Sequence, residues 1–288
     1  MRLRTILVPI TTGVDPVPAL DAALAVARRA GAHVEVLFAR ADAVSAIGLV
    51  GEPTVGTDVI VAEFERAGRE AAVVARRTFE AWRTRNDLPA AIVDHRLDSV
   101  FATWRDEEGD VARIVTRRGR LDDLLVVGRD APRAAGAATV LDAALFGSGR
   151  PVLLAPERLP DDLLRHVVVA WNGSLEAVRA VAGSAELLRQ AERVSVFAAP
   201  PRDAADTDEI VGAELAEALR WHGIKARRLA PTIGAGPVGE ALLDAAAGAG
   251  ATMIVMGAYT HSRVREMFLG GVTRHVLAHA TIPVIMAH

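Results

Sequence analysis

The chain has 288 residues, 51% hydrophobic and 24% charged, a balance that supports packed cores and excludes a disordered polymer. Its formal net charge of −3 excludes nucleic-acid binding by bulk attraction. The absence of cysteine excludes disulfides, thiolate metal sites and cysteine nucleophiles, and a single lysine, Lys225, excludes the phosphate loop G-x-x-x-x-G-K-[ST].

The first copy of a repeated pattern begins with "RTILVPITTG" (4–13), a short apolar run ending in a turn, and a helical segment follows, "PALDAALAVARRAGA". "HVEVLFA" (33–39) reads as the next strand. An insertion near 41–77 reads as a loop followed by an amphipathic helix. The acidic cluster "RDEEGD" (105–110) reads as a helix start, where acids favour the helix dipole. "DDLLVVG" and "RPVLLAP" (150–156) then read as strands buried on both faces. The paired acids Asp122–Asp123 and Asp161–Asp162 fall just before strands and read as solvated turns.

The pattern then restarts. "RHVVVAWNGS" (165–174) matches the opening segment, "LEAVRAVAGSAELLRQA" gives a helix, and "RVSVFAA" (193–199) a strand. "AGATMIVMGA" (249–258) matches "GRLDDLLVVGR", and "IPVIMAH" (282–288) matches "RPVLLAP". The offset between copies shortens from Val8/Val169 to Gly128/Gly257, so the first copy carries about 32 extra residues in its middle. Prolines and charges in "PERLPDDLLRH" (156–166) mark the junction, giving domains 1–159 and 160–288. Alternation of apolar strands with helices implies an α/β protein with parallel sheets covered on both faces.

Taken in order and twice over, "ILVPI", "VVVAWNGS", "MIVMGA" and "VTRHVLAHATIPVIMAH" resemble the universal stress protein family in its tandem form. The resemblance implies two Rossmann-like domains of the adenine-nucleotide-hydrolase type, each a five-stranded parallel sheet sandwiched by helices. It also implies that strands 151–156 and 283–288 pair antiparallel across a pseudo-twofold axis, with a homodimer as a further assembly.

Nucleotide-binding members of the family carry G-x-x-G, nine residues, then G followed by Ser or Thr. In "GAYTHSRVREMFLGGVT" the spacing is intact at Gly257, Thr260, Gly270 and Gly271, but Thr260 stands in place of a glycine and Gly271 in place of the hydroxyl residue, with Thr273 as a replacement hydroxyl. Gly270 and Gly271 open a helix, where backbone N–H groups and the dipole suit a phosphate. His261, Arg263 and Arg274 are nearby sources of positive charge. Asn172, after Trp171, stands where the family places an adenine-recognising aspartate. The resemblance thus implies ATP or AMP with magnesium in the second copy. The bland alternative is a loop that turns the chain and caps a helix. In the first copy Thr11 replaces the adenine residue and Ala138–Thr139 stand opposite the glycine pair, so that copy reads as structural.

Competing signals are weaker. "GAGPVG" (234–239) fits a dinucleotide fingerprint but lacks the acid about 20 residues on. His275 and His279 share a helix face without a third metal ligand in sequence. Nothing assembles a base, a nucleophile and an orienting group. The expected role is therefore non-enzymatic, regulatory or protective, in a cytoplasmic protein without a membrane span. The alternatives are a ligand-free scaffold for dimerisation or an unknown protein partner, and a slow nucleotide hydrolase.

Overall fold

The computed structural model describes residues 2–42, 57–89, 100–129, 137–198, 208–229, 237–258 and 271–288. Thr260, Gly270, His261 and Arg263 lie outside these residues. By contact the chain forms two compact units, Leu3–Gly149, and Arg150–His288 together with Met1–Arg2.

The unit 3–149 contains β1 (Thr5–Ile10), α1 (Val17–Ala30), β2 (His33–Arg40), α2 (Thr57–Arg85), β3 (Ala102–Glu108), α3 (Val111–Gly119), β4 (Leu124–Gly128) and α4 (Ala137–Asp142), which continues into a π-helical turn over Ala143–Gly147. The strands run in the order β3-β2-β1-β4, with parallel pairing. The unit 150–288 contains β5 (Val152–Ala155), β6 (His166–Trp171), α5 (Leu175–Gln190), β7 (Arg193–Ala198), α6 (Asp208–Trp221), β8 (Ala226–Leu229), α7 (Val238–Gly248), β9 (Met253–Gly257), α8 (Gly271–His279) and β10 (Val284–Ala287). Its order is β5-β10-β9-β6-β7-β8. All of its pairings are parallel except β5 with β10, which run antiparallel through Val284↔Leu154, Ile285↔Leu153 and Met286↔Val152. This ladder is why the contact boundary falls before β5, whereas the sequence repeat ends after it.

The strands form where the sequence has runs of Val, Ile and Leu, and the central ones are buried on both faces, as parallel strands under helices must be. Helix α1 starts where the Asp15 carboxylate accepts the Val17 N–H at 3.0 Å and ends at Gly31, whose φ of 65° is left-handed. Its apolar stripe, including Leu20, Ala23, Leu24 and Ala27, is buried.

Two expectations need correction. The acids of "RDEEGD" before Asp110 belong to β3, not to a helix start; only Asp110 caps a helix, accepting the Arg113 N–H at 2.9 Å. β3 ends the strand order and carries charge on both faces: Arg105 bonds Glu35 at 2.7 Å, Arg40 bonds Asp106 at 3.0 Å, and Glu107 holds Arg117 and Arg118. Such charge blunts an edge against foreign strands. The second correction is Asp122. It is 8% exposed, not solvated, and burial, aided by the charges of Glu35 and Asp123, pushes its carboxyl up to about 7. Its neighbour Asp123 accepts the backbone N–H groups of Arg4 at 2.8 Å and Thr5 at 3.1 Å, tying β4 to β1. Asp161–Asp162 is a turn as expected, with Asp162 accepting the Leu164 N–H at 3.0 Å.

Candidate functional site

Ligands of open α/β sheets bind beyond the carboxyl ends of the strands, where successive connections leave in opposite directions. In the unit 150–288 that reversal lies between β6 and β9, adjacent strands in register from Val167↔Met253 to Ala170↔Met256. β6 leads through α5 to β7 on one side, and β9 leads through α8 to β10 on the other. Asn172 follows β6 and Gly257 ends β9, so the fold brings these two expected site residues to the same crevice.

Each is held by local chemistry. Asn172 is exposed, and its Oδ1 accepts the Ser174 N–H at 3.2 Å across Gly173, whose φ of 73° is left-handed. Ser174 then caps α5, its Oγ accepting the Ala177 N–H at 3.2 Å. The amide nitrogen of Asn172 keeps its two donors. Trp171, the last residue of β6, is half-buried and pairs with Ala198 of β7. A Cβ on Gly257 would lie 2.6 Å from the Ala177 nitrogen and 2.8 Å from the Glu176 carbonyl carbon. Glycine here lets the first turn of α5 pack directly on the end of β9.

Gly271 and Thr273 open α8. A Cβ on Gly271 would meet nothing within 4 Å, so its glycine answers no packing demand among the described residues. Thr273 is buried, 4% exposed, and Arg274 is exposed. α8 is fixed against α7 by His275, whose Cβ would stand 2.9 Å from a Cβ on Gly239. The last glycine of "GAGPVG" is thereby a helix-packing residue. His275 and His279 stack with ring centroids 4.2 Å apart, and His279 Nδ1 bonds the His275 carbonyl at 2.9 Å. Among the described residues no group of three His, Asp or Glu side chains could hold a metal ion.

The corresponding crevice of the unit 3–149, between β1 and β4, is lined by Pro9, Thr11, Asp15, Ala19, Gly128 and Val140, and encloses about 10 Å³. That is about the least space a single water molecule needs. Among the described residues a Cβ on Gly128 would meet only the Ala19 Cβ, at 4.0 Å.

At the opposite ends of the strands, two histidines escaped notice in the sequence. His166 is 4% exposed; its Nδ1 bonds the Ala249 carbonyl at 3.0 Å and its Nε2 the Ser195 hydroxyl at 2.8 Å. His33 bonds the Phe101 carbonyl at 3.3 Å and the Thr103 hydroxyl at 3.0 Å. Burial lowers the pKa of both, so they are neutral structural groups that donate from Nδ1 and accept at Nε2. Their position as the first residue of a strand was the only signal for them.

The family model for the universal stress protein family matches residues 164–288. No curated protein matches the chain. Among solved structures, a universal stress protein from Archaeoglobus fulgidus DSM 4304 is 18% identical with a TM-score of 0.67, covering 98% of this chain and 95% of its own. A functionally unknown protein from Pseudomonas aeruginosa PAO1 is 14% identical with a TM-score of 0.54, covering 98% of this chain and 92% of its own. At such identities the two structures speak for the fold, in its tandem layout, over nearly the whole chain. Residues 164–288 thus match the universal stress protein family, and the fold of its two-domain structures extends over nearly the whole chain.

Proposed function

We propose that the second domain binds an adenine nucleotide, ATP or AMP with magnesium, without turning it over, and that the protein serves a regulatory or protective role in a cytoplasmic stress response. The observation that carries this reading is the reversal of connections between β6 and β9, with Asn172 and Gly257 on its two sides. Gly271 adds a helix start with open space at its Cβ position. Because Oδ1 of Asn172 is spent on the turn, its free Nδ2 would address an acceptor on the base edge. No helix among the described residues is long and apolar enough to cross a membrane. Titration calorimetry with ATP and AMP in magnesium should give saturable binding, lost when Gly271 is replaced by Leu. Phosphate release under the same conditions should stay at background; release above background would favour the hydrolase reading.

A second reading is favoured by specific contacts. Asn172 and Gly257 are both accounted for by the turn and by helix packing, as in a ligand-free scaffold that meets a protein partner. The β5–β10 ladder supports the further proposal that the two copies pair through their last strands as an internal dimer. Absence of calorimetric binding at millimolar nucleotide would select this reading.

A further inference from the structure

The helix α2, which begins within the insertion of the first domain, is 29 residues long, and its two halves have different surroundings. Toward its C-terminus Ala72, Phe79 and Trp82 are buried, Phe79 lying 5.5 Å from Trp104 of β3 between ring centroids. None of residues 58–71 is buried. Yet that stretch is not polar: Val59 is 73% exposed, Ile60 64% and Phe64 39%, and just beyond it Val74 is 61% exposed.

These residues follow a rule. Ile60, Phe64, Ala67, Ala71, Val74 and Thr78 are spaced alternately four and three apart, the seam of a coiled coil, on a face distinct from the Ala72–Phe79 stripe. Most helical stability in proteins comes from packing an apolar face, and the exposed seam gains that stability by meeting another. Gly68 beside the seam is a second, independent sign. Glycine within a helix costs about 1 kcal/mol relative to Ala, and a Cβ there would meet nothing within 4 Å, so packing among the described residues does not demand it.

The charges select the occupant. Glu63, Glu70 and Arg77 line one flank of the seam, while Val61, Gly68 and Ala75 line the other. In a parallel pair each flank faces the opposite one, leaving Glu63 and Arg77 without partners across the seam. In an antiparallel pair like flanks meet: with Ala67 opposite Ala71 of the other helix, Glu63 of each chain faces Arg77 of the other. Glu70 then lies near its own copy on the axis; within its own helix Arg66 bonds Glu70 at 2.8 Å and also pairs with Glu63. The small residues of the opposite flank allow close approach. We propose that α2 is a self-association surface, through which a second copy of this chain docks antiparallel about a twofold axis. A seam of about five helical turns gives an interface at the small end of the specific range, hence a reversible dimer.

Sedimentation of the full-length chain across a concentration series tests this. The wild type should pass from monomer to dimer. Phe64→Glu should raise the dissociation constant by about tenfold or more, as should Arg77→Glu, and Glu63→Arg with Arg77→Glu together should restore association. Gly68→Gln raises helix propensity, so it should fold at least as well yet dimerise more weakly. A monomer at every concentration, or a dimer indifferent to Phe64→Glu and Gly68→Gln, overturns the surface. A dimer that the double charge exchange fails to restore overturns the antiparallel arrangement.

Discussion

Gly128 and Gly257 end equivalent strands in the two sequence repeats, yet their surroundings differ. A Cβ at Gly257 would strike the backbone of α5 at 2.6 Å, whereas one at Gly128 would touch the Ala19 side chain at an ordinary 4.0 Å. The helix after the first strand is also entered differently. α5 is capped by the Ser174 hydroxyl, while α1 follows Pro16 without a side-chain cap on its own N-cap residue. The contrast teaches that a glycine at a family position can be held by packing, by a ligand, or by neither. The residues alone do not say which.

Substitution separates these cases. The largest effect is expected for Gly257→Ala: backbone atoms cannot yield as side chains do, so denaturant unfolding should show a loss of about 3 kcal/mol. Gly128→Ala should stay within about 0.5 kcal/mol of wild type. Equal losses at both positions would abolish the contrast.

Next in size is Asp122, whose folded pKa of about 7 stands above its ordinary 3.8. The folded state binds its proton more tightly, so the stability it contributes is full below the ordinary value and is lost as pH rises toward and through 7. Asp122→Asn should therefore be more stable than wild type at pH 8, by as much as a few kcal/mol at about 1.4 kcal/mol per pKa unit, and lose most of that advantage in acid. His33 and His166 work in the other direction. Their folded pKa values lie below the ordinary 6.5, so the stability they carry is full above that value and is lost as pH falls below it. In the Asp122→Asn background this acid loss should be visible alone, and His166→Gln should reduce it.

The smallest effect belongs to the α5 cap: Ser174→Ala should cost about 1 kcal/mol. The same measurement on Asp15→Ala, which frees only the Val17 N–H, should show a loss no larger.

Much of the fold was legible because parallel strands buried on both faces are continuous apolar runs. β1, β4, β6 and β9 coincide with such runs, and β2 and β7 are interrupted by one polar residue each, Glu35 and Ser195. β3 was not legible because it is largely charged, and the ion-pair partners that accommodate those charges in a strand, Glu35, Arg40, Arg117 and Arg118, are distant in sequence or on another element. Asp122 misled for a related reason. An acid before a strand is usually solvated, and its burial depends on how β4 enters the sheet beside Glu35. At the candidate site, sequence spacing located the crevice through Asn172 and Gly257. It could not show that the Asn172 oxygen is occupied by Ser174, or that Thr273 is buried. The heptad seam of α2 was in the sequence throughout, but only its exposure distinguishes it from a core face.

The proposed role requires that the second domain take a nucleotide. Thermal unfolding of wild type and Gly271→Leu, with millimolar ATP or AMP and magnesium, tests it most directly. The added Cβ meets nothing within 4 Å among the described residues, so the unliganded transition should change little. The account predicts a transition that rises with nucleotide in the wild type, by about 2.7 kcal/mol of apparent stability at a hundredfold excess over the dissociation constant, and stays put in the variant. An unmoved wild-type transition, or an equal rise in both proteins, would contradict it.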